Sequence, residues 1–357
     1  MRKHYLDWLR GIAVLIMIEA HTIDSWTRAA DRTRPLYEWG LLVGGFGAPM
    51  FLLLAGVALA LAAGSRARKG FAPSEIAARA QRRGWQIFGL AFLFRLQSWL
   101  VSGGSFERSL LKVDILNIMG PSMIAAAVLW RVGRSDRSRA ALYLAATIAI
   151  AMLTPVVRQS ALLGALPDPV EWYLRPTPGR TNFTLFPWAG FLLAGAAVGL
   201  WLDRAETPDV EQRVTLHLGL IGAGVAVAGY TVSLLPPIYR ETNFWTSSPT
   251  FFFLRLGILV ALIPVAYGWG RSWRGWSPIQ EFGVSSLFVY WIHVEMVYGV
   301  LSTAIHHRLS LEQWAVAWIA FSVFLFGLVK LKQRVVESFR ASSRFRTRRG
   351  VVPRETG

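Results

Sequence analysis

About ten apolar runs follow one another along this chain, each close to the roughly twenty residues needed to cross a bilayer's hydrocarbon. They fall at approximately 9–26, 40–63, 84–102, 113–130, 139–157, 183–202, 214–235, 250–269, 282–303 and 312–330. Only helices or closed barrels satisfy their backbone in lipid, and these runs lack the strict alternation of barrel strands. The expected fold is therefore an all-α, polytopic integral membrane bundle of about ten transmembrane helices. No internal repeat or soluble-length segment divides it, so residues 1–335 read as one transmembrane domain. Residues 336–357 read as a basic cytoplasmic tail with interspersed Phe, suited to lying on anionic lipid headgroups.

The net charge of +17 needs a partner or a place. The arginines sit mostly between the apolar runs, where membrane orientation explains them better than nucleic acid does. With the N-terminus inside, 26 basic residues face the cytoplasm and 10 face out, which predicts that both termini are cytoplasmic. Arg95 and Arg255 complete the set and lie within runs. There is no cysteine, which excludes disulfides, thiol nucleophiles and thiolate metal sites. The first run has no small-residue cleavage motif and reads as a retained span. The long outside loop over 158–182, with Pro167, Pro169, Pro176 and Pro178, reads as an irregular cap.

The first run begins at Asp7 and Arg10 and ends at Glu19, His21 and Asp24. A helix rises about 1.5 Å per residue, so Arg10 and His21 stand on the order of 16 Å apart along it. Ionisable groups at membrane depth are costly and point to function. Orientation places several at similar depth near the outer side: His21, Arg95, Asp114 with Asn117 one turn deeper, Arg255, and His293 ahead of Glu295 and Tyr298. Each also has a structural reading. Arg95 and Asp114 can simply pair, Arg255 can extend its guanidinium toward the surface, and His293 can bond a neighbouring helix. A zinc site from His21, Glu19 and His293 has no ligand motif of fixed spacing behind it. Without cysteine, a histidine beside carboxylates supplies a general base or nucleophile. Arginine in a partly dry cavity holds a phosphate, carboxylate or oxyanion. This equipment suits acyl transfer and also the binding of an anionic solute.

The segment Tyr5-Leu6-Asp7-Trp8-Leu9-Arg10-Gly11-Ile12-Ala13 followed by His21 resembles the opening of the heparan-alpha-glucosaminide N-acetyltransferase-like family of transmembrane acyltransferases. Gly47-Ala48-Pro49-Met50-Phe51, Val113-Asp114-Ile115-Leu116-Asn117, Phe186-Pro187-Trp188-Ala189-Gly190 and Tyr290-Trp291-Ile292-His293 extend the resemblance to about residue 300. The resemblance implies ten to eleven helices, acetyl-CoA or another acyl-CoA as donor from the cytoplasmic side, and an acceptor on the far side; no metal is expected, since no ligand spacing supports one. It also implies that His21 serves acetyl transfer. Lysosomal members carry that histidine in a His-x-x-Trp-type context; here Thr22-Ile23-Asp24-Ser25-Trp26 follows it. The short form resembles bacterial members, whose place is the cytoplasmic (inner) membrane.

The expected function is acyl transfer to a carbohydrate or related envelope acceptor. His21 is the catalytic candidate, oriented by Asp24 or Glu19; Arg95, Asp114, Asn117, Arg255 and His293 are expected to bind the acceptor. Asp7 and Arg10 are expected at the inner mouth, where Arg79, Arg82 and Arg83 either meet CoA phosphates or serve only as positive-inside charge. The rival is a transporter or flippase for an anionic or lipid-linked solute, against which the absence of paired halves weighs.

Overall fold

Helix α1 (His4–Trp26) lacks a side-chain cap and opens on an apolar sequence interrupted by Asp7 and Arg10. Thr27 ends it in extended backbone. The computed structural model describes residues 3–102, 106–273 and 275–349, with side chains from residue 340 onward, and those of 102, 107 and 108, left aside. Arg2, Arg108, Arg274 and most of the tail expected over 336–357 therefore lie outside the described side chains.

The chain continues through α2 (Pro35–Gly44), α3 (Gly47–Ala67), α4 (Pro73–Ser102) and the short α5 (Phe106–Leu110). Next come α6 (Ile115–Val132), α7 (Asp136–Gln159), the short α8 (Asp168–Leu174), α9 (Leu185–Asp203) and α10 (Pro208–Ser233). It ends with α11 (Pro249–Ser272), α12 (Pro278–Val284), α13 (Ser286–Tyr298) and α14 (Leu311–Arg349). Proline at the first turn of α2, α10, α11 and α12 fits positions whose N–H has no helical partner. Asp114 and Asn117 form a reciprocal cap at the start of α6. Among the described residues, β pairing is confined to two isolated bridges, Thr27–Leu309 and Val113–Thr181.

Among the described residues, seven stretches are long and apolar enough to cross a membrane: α2 with α3, α6, α7, α9, α10, α11 and α14 as far as Phe339. Helix α1 carries Asp7, Arg10, Glu19 and Asp24, and α4 carries Arg79, Arg82 and Arg83 in its first half and Arg95 and Gln97 in its second, so both fall short on composition rather than length.

Helix α9 lies at the centre, apolar on every side and buried along most of its length. It runs alongside α3 in the same sense, with Gly195 against the Leu53 carbonyl and Gly56 against that of Leu192. A Cβ at either glycine would collide with backbone, so this close approach depends on them. Phe186 leaves helical dihedrals (φ −99°, ψ 116°) just ahead of Pro187, as expected of a residue before proline. Helices α7, α10 and α14 are peripheral and leave apolar side chains such as Leu144, Leu220 and Val323 exposed.

One expected span is corrected. The run at 282–303 is not one continuous helix but two helices broken at Ser285. Helix α12 crosses α1 in the opposite sense, with Ile279 at Gly11 and Gly283 at the Asp7 carbonyl. After Ser285, α13 runs with α1, placing His293 at His21 and Val297 at Ser25. The break lets a single sequence stretch pack on both ends of α1.

Candidate active site

One cavity of about 1300 Å³ runs through the bundle beside α1 and α3. From α3 it is lined by Ala48, Phe51, Ala55, Ala58, Ala62 and Arg66, steps of three or four residues that mark one helix face. At about 1.5 Å per residue, that face extends on the order of 27 Å from Ala48 to Arg66. From α1 the cavity takes Arg10, Met17, Ala20, His21 and Asp24, again one face.

Its mouth near the start of α1 is basic. Arg10, Arg66, Arg79, Arg82 and Arg83 all line it. Arg79 lies over the Phe71 ring at 4.4 Å and Arg83 reaches the Gln86 amide oxygen at 3.4 Å. Arg10 pairs with Asp7 at 3.2 Å, and Asp7 is itself buried. Asp7 thus holds Arg10, while the arginines carry the cavity wall. The α12–α13 break contributes Gly283, Val284 and Ser286 to the same cavity.

The other end is a polar chamber. His21 Nδ1 and His293 Nε2 are 2.8 Å apart. Their rings are parallel within 4°, with centroids 5.0 Å apart, the geometry of two rings edge to edge in one plane. His293 Nδ1 lies 2.8 Å from the Val289 carbonyl, which can only accept, so that nitrogen carries the proton. In the neutral ring Nε2 is then an acceptor, and His21 must donate to it from Nδ1. His21 Nε2 is left with its lone pair, on a residue lining the cavity. The fully buried His293 thereby sets the tautomer of His21.

Around this pair the chamber is built from three helices. Arg95 of α4 is hydrogen-bonded to Asp114 Oδ2, and both are buried. Asp114 Oδ1 also accepts from the Ile115 N–H at 2.7 Å. Asn117 closes the cap on Asp114 at 3.0 Å and donates to the Tyr173 hydroxyl of α8 at 3.2 Å. Asn117 therefore supports Asp114 rather than lining the cavity. The loop between α8 and α9 is tied to the same point through Val113 N to Arg180 O and Asn182 N to Val113 O, each 2.9 Å. Lys112, on the connection before α6, lines the chamber; burial and then Arg95 hold its ammonium below the ordinary lysine value, against Asp114. Tyr298 donates to Asp24 Oδ2 at 3.2 Å and sets its ring edge-on to His21 at 5.5 Å.

The expected set is thus brought together in part. His21, Asp24, Arg95, Asp114 and His293 converge, whereas Glu19 and Arg255 do not join them. Glu19 turns its buried carboxylate toward Gly40 and Gly44 of α2, so the ligand trio weighed for zinc is not assembled. Arg255 stacks on Phe251 at 4.0 Å and faces Gly45, just behind the cavity wall. The sequence reading left Arg66, Lys112, Tyr290 and Glu295 unassigned, although all four line the cavity. Arg66 was open to the same spacing argument as its neighbours, because it continues the face of Ala55, Ala58 and Ala62.

A base with a fixed lone pair, joined by one cavity to a cluster of arginines, can move a proton while an anionic group is held at a distance. No curated protein sequence matches the chain. The family model described as heparan-alpha-glucosaminide N-acetyltransferase, catalytic, matches residues 2–229, from before α1 through most of α10. The protein is therefore a membrane-spanning member of the heparan-alpha-glucosaminide N-acetyltransferase catalytic family.

Proposed function

We propose that the protein moves an acetyl or other acyl group from acyl-CoA, entering at the arginine mouth, to a carbohydrate or related envelope acceptor in the polar chamber. The observation that carries this reading is the continuity of one cavity from Arg79, Arg82 and Arg83 to His21. Arginine clusters suit the phosphates of CoA, and the alanine-rich middle suits an extended pantetheine arm. Bound there, CoA supplies an activated acyl thioester. His21 Nε2 takes the proton from the acceptor's amine or hydroxyl as the new N–C or O–C bond forms. As the C–S bond breaks, the same imidazole returns that proton to the leaving sulfur. His293 stabilises the transient positive charge by accepting from Nδ1. Arg95 and Lys112 supply positive potential where the carbonyl oxygen becomes negative.

The charge distribution supports ten crossings, with both termini and the arginine mouth cytoplasmic and the chamber opening outward, in a bacterial cytoplasmic membrane. Purified protein given radiolabelled acetyl-CoA and an envelope glycan extract should label an acceptor, and His21→Ala should not. Wild-type protein that neither binds nor turns over acyl-CoA would favour a solute carrier using the same cavity.

A further inference from the structure

Three buried polar atoms on residues walling the chamber make no well-formed hydrogen bond among the described residues: Arg95 Nε, the Tyr290 hydroxyl, which only loosely approaches Asp114, and Glu295 Oε2, on a carboxyl that only loosely approaches Ser98. Buried polar groups in folded proteins are nearly always paired, so an unpaired one needs an explanation. Here three share one chamber wall, and their characters are complementary: a donor, a group that does either, and an acceptor. Their positions are fixed by packing. Phe94 sets its ring against Tyr290 at 5.5 Å and Trp291 at 5.3 Å, and Trp291 Nε1 donates to Gln97 Oε1 at 2.6 Å. These contacts lock α4 to α13. The chamber is also walled by Phe183 and Trp188, edge to face at 4.7 Å, which offers a flat apolar surface.

We propose that Glu295, Tyr290 and Arg95 form the acceptor subsite, selecting a ring with hydroxyl or amine groups beside the atom that is acylated. This rests on the transferase reading and adds the residues that would choose the acceptor. Glu295 is the determinant. Its carboxylate oxygen requires a donor from the acceptor, and an acceptor without one leaves it unpaired. Sites built to hydrogen-bond a substrate reject the analogue that lacks the group far more strongly than apolar pockets reject a change of size.

The test uses full-length protein in detergent with radiolabelled acetyl-CoA and two probe acceptors, glucosamine and cyclohexylamine. The wild type should prefer glucosamine in kcat/KM. Glu295→Ala should cut that preference by about tenfold or more, the scale of a lost hydrogen bond to a charged group. The loss should appear as a raised KM for glucosamine, with the KM for acetyl-CoA unchanged and the use of cyclohexylamine altered far less. Tyr290→Phe, which removes a single oxygen, should shift the preference the same way by less. An unaltered preference in both variants overturns the subsite. If Glu295→Ala no longer binds acetyl-CoA, its fold is damaged and Tyr290→Phe alone decides. A wild type that does not bind acetyl-CoA overturns the transferase reading itself, a result distinct from unchanged selectivity.

Discussion

The two ends of the cavity hold charge in opposite ways. At the basic mouth, Arg79, Arg82 and Arg83 are exposed; Arg79 rests on the Phe71 ring and Arg83 on the Gln86 amide. In the chamber, Arg95 is bound to Asp114, His21 to His293 and Asp24 to Tyr298. The mouth can exchange partners freely, as suits a ligand that arrives and leaves. The chamber is preorganised, as suits groups that must keep one tautomer and one geometry through a reaction.

That contrast predicts effects of very different size. His21→Ala should abolish acyl transfer while costing only about 1–3 kcal/mol of stability, for the buried His293 Nε2 it leaves unpaired, measured by label transfer beside thermal unfolding. Asp114→Ala should cost about 3–5 kcal/mol of stability, because it leaves Arg95 as an uncompensated buried charge. The double variant Arg95→Met with Asp114→Leu should recover most of that stability without activity. At the mouth, Arg79→Ala, Arg82→Ala and Arg83→Ala should raise the KM for acyl-CoA with little change in kcat, and added salt should mimic them, since exposed charges are screened. Equal salt sensitivity of kcat would break the distinction between the two ends.

The smallest effect expected is on acid stability. Asp31, between α1 and α2, is held below the usual carboxylate value first by its bond from Arg28, with the Leu311 N–H and Arg34 adding to it. A carboxyl depressed in the folded state contributes stability that is present above its unfolded value, near pH 4, and is lost as pH falls through the folded value. Asp31→Asn should therefore flatten the acid limb of an unfolding curve and leave stability above about pH 5 little less pH-dependent than before.

Much of this was legible in the sequence because charge in an apolar run is conspicuous. His21, Arg95, Asp114 and His293 all stood out on that ground. Their pairing did not, since His21 and His293 are 272 residues apart and only the fold joins them. The misplacement of Glu19 was avoidable. Residues two apart on a helix point to nearly opposite faces, so Glu19 and His21 cannot both face one cavity, while Asp24, three further on, can. The break at Ser285 was hidden by apolar sequence on both sides of it, and it became visible only through the close packing of Gly283 on α1. Glu295 escaped assignment because its significance lies in an unpaired oxygen, which is a property of the packed chamber.

The central claim, that one cavity carries the acyl donor from the arginine mouth to His21, is tested most directly at its middle. Ala58 and Ala62 project into that space from α3 and are not enclosed by the core. Acetyl transfer by Ala58→Trp, measured beside its thermal unfolding, is the decisive measurement. The predicted result is lost turnover with unfolding close to wild type, because the indole fills the passage rather than the core. Undiminished transfer by a folded Ala58→Trp protein would contradict the claim.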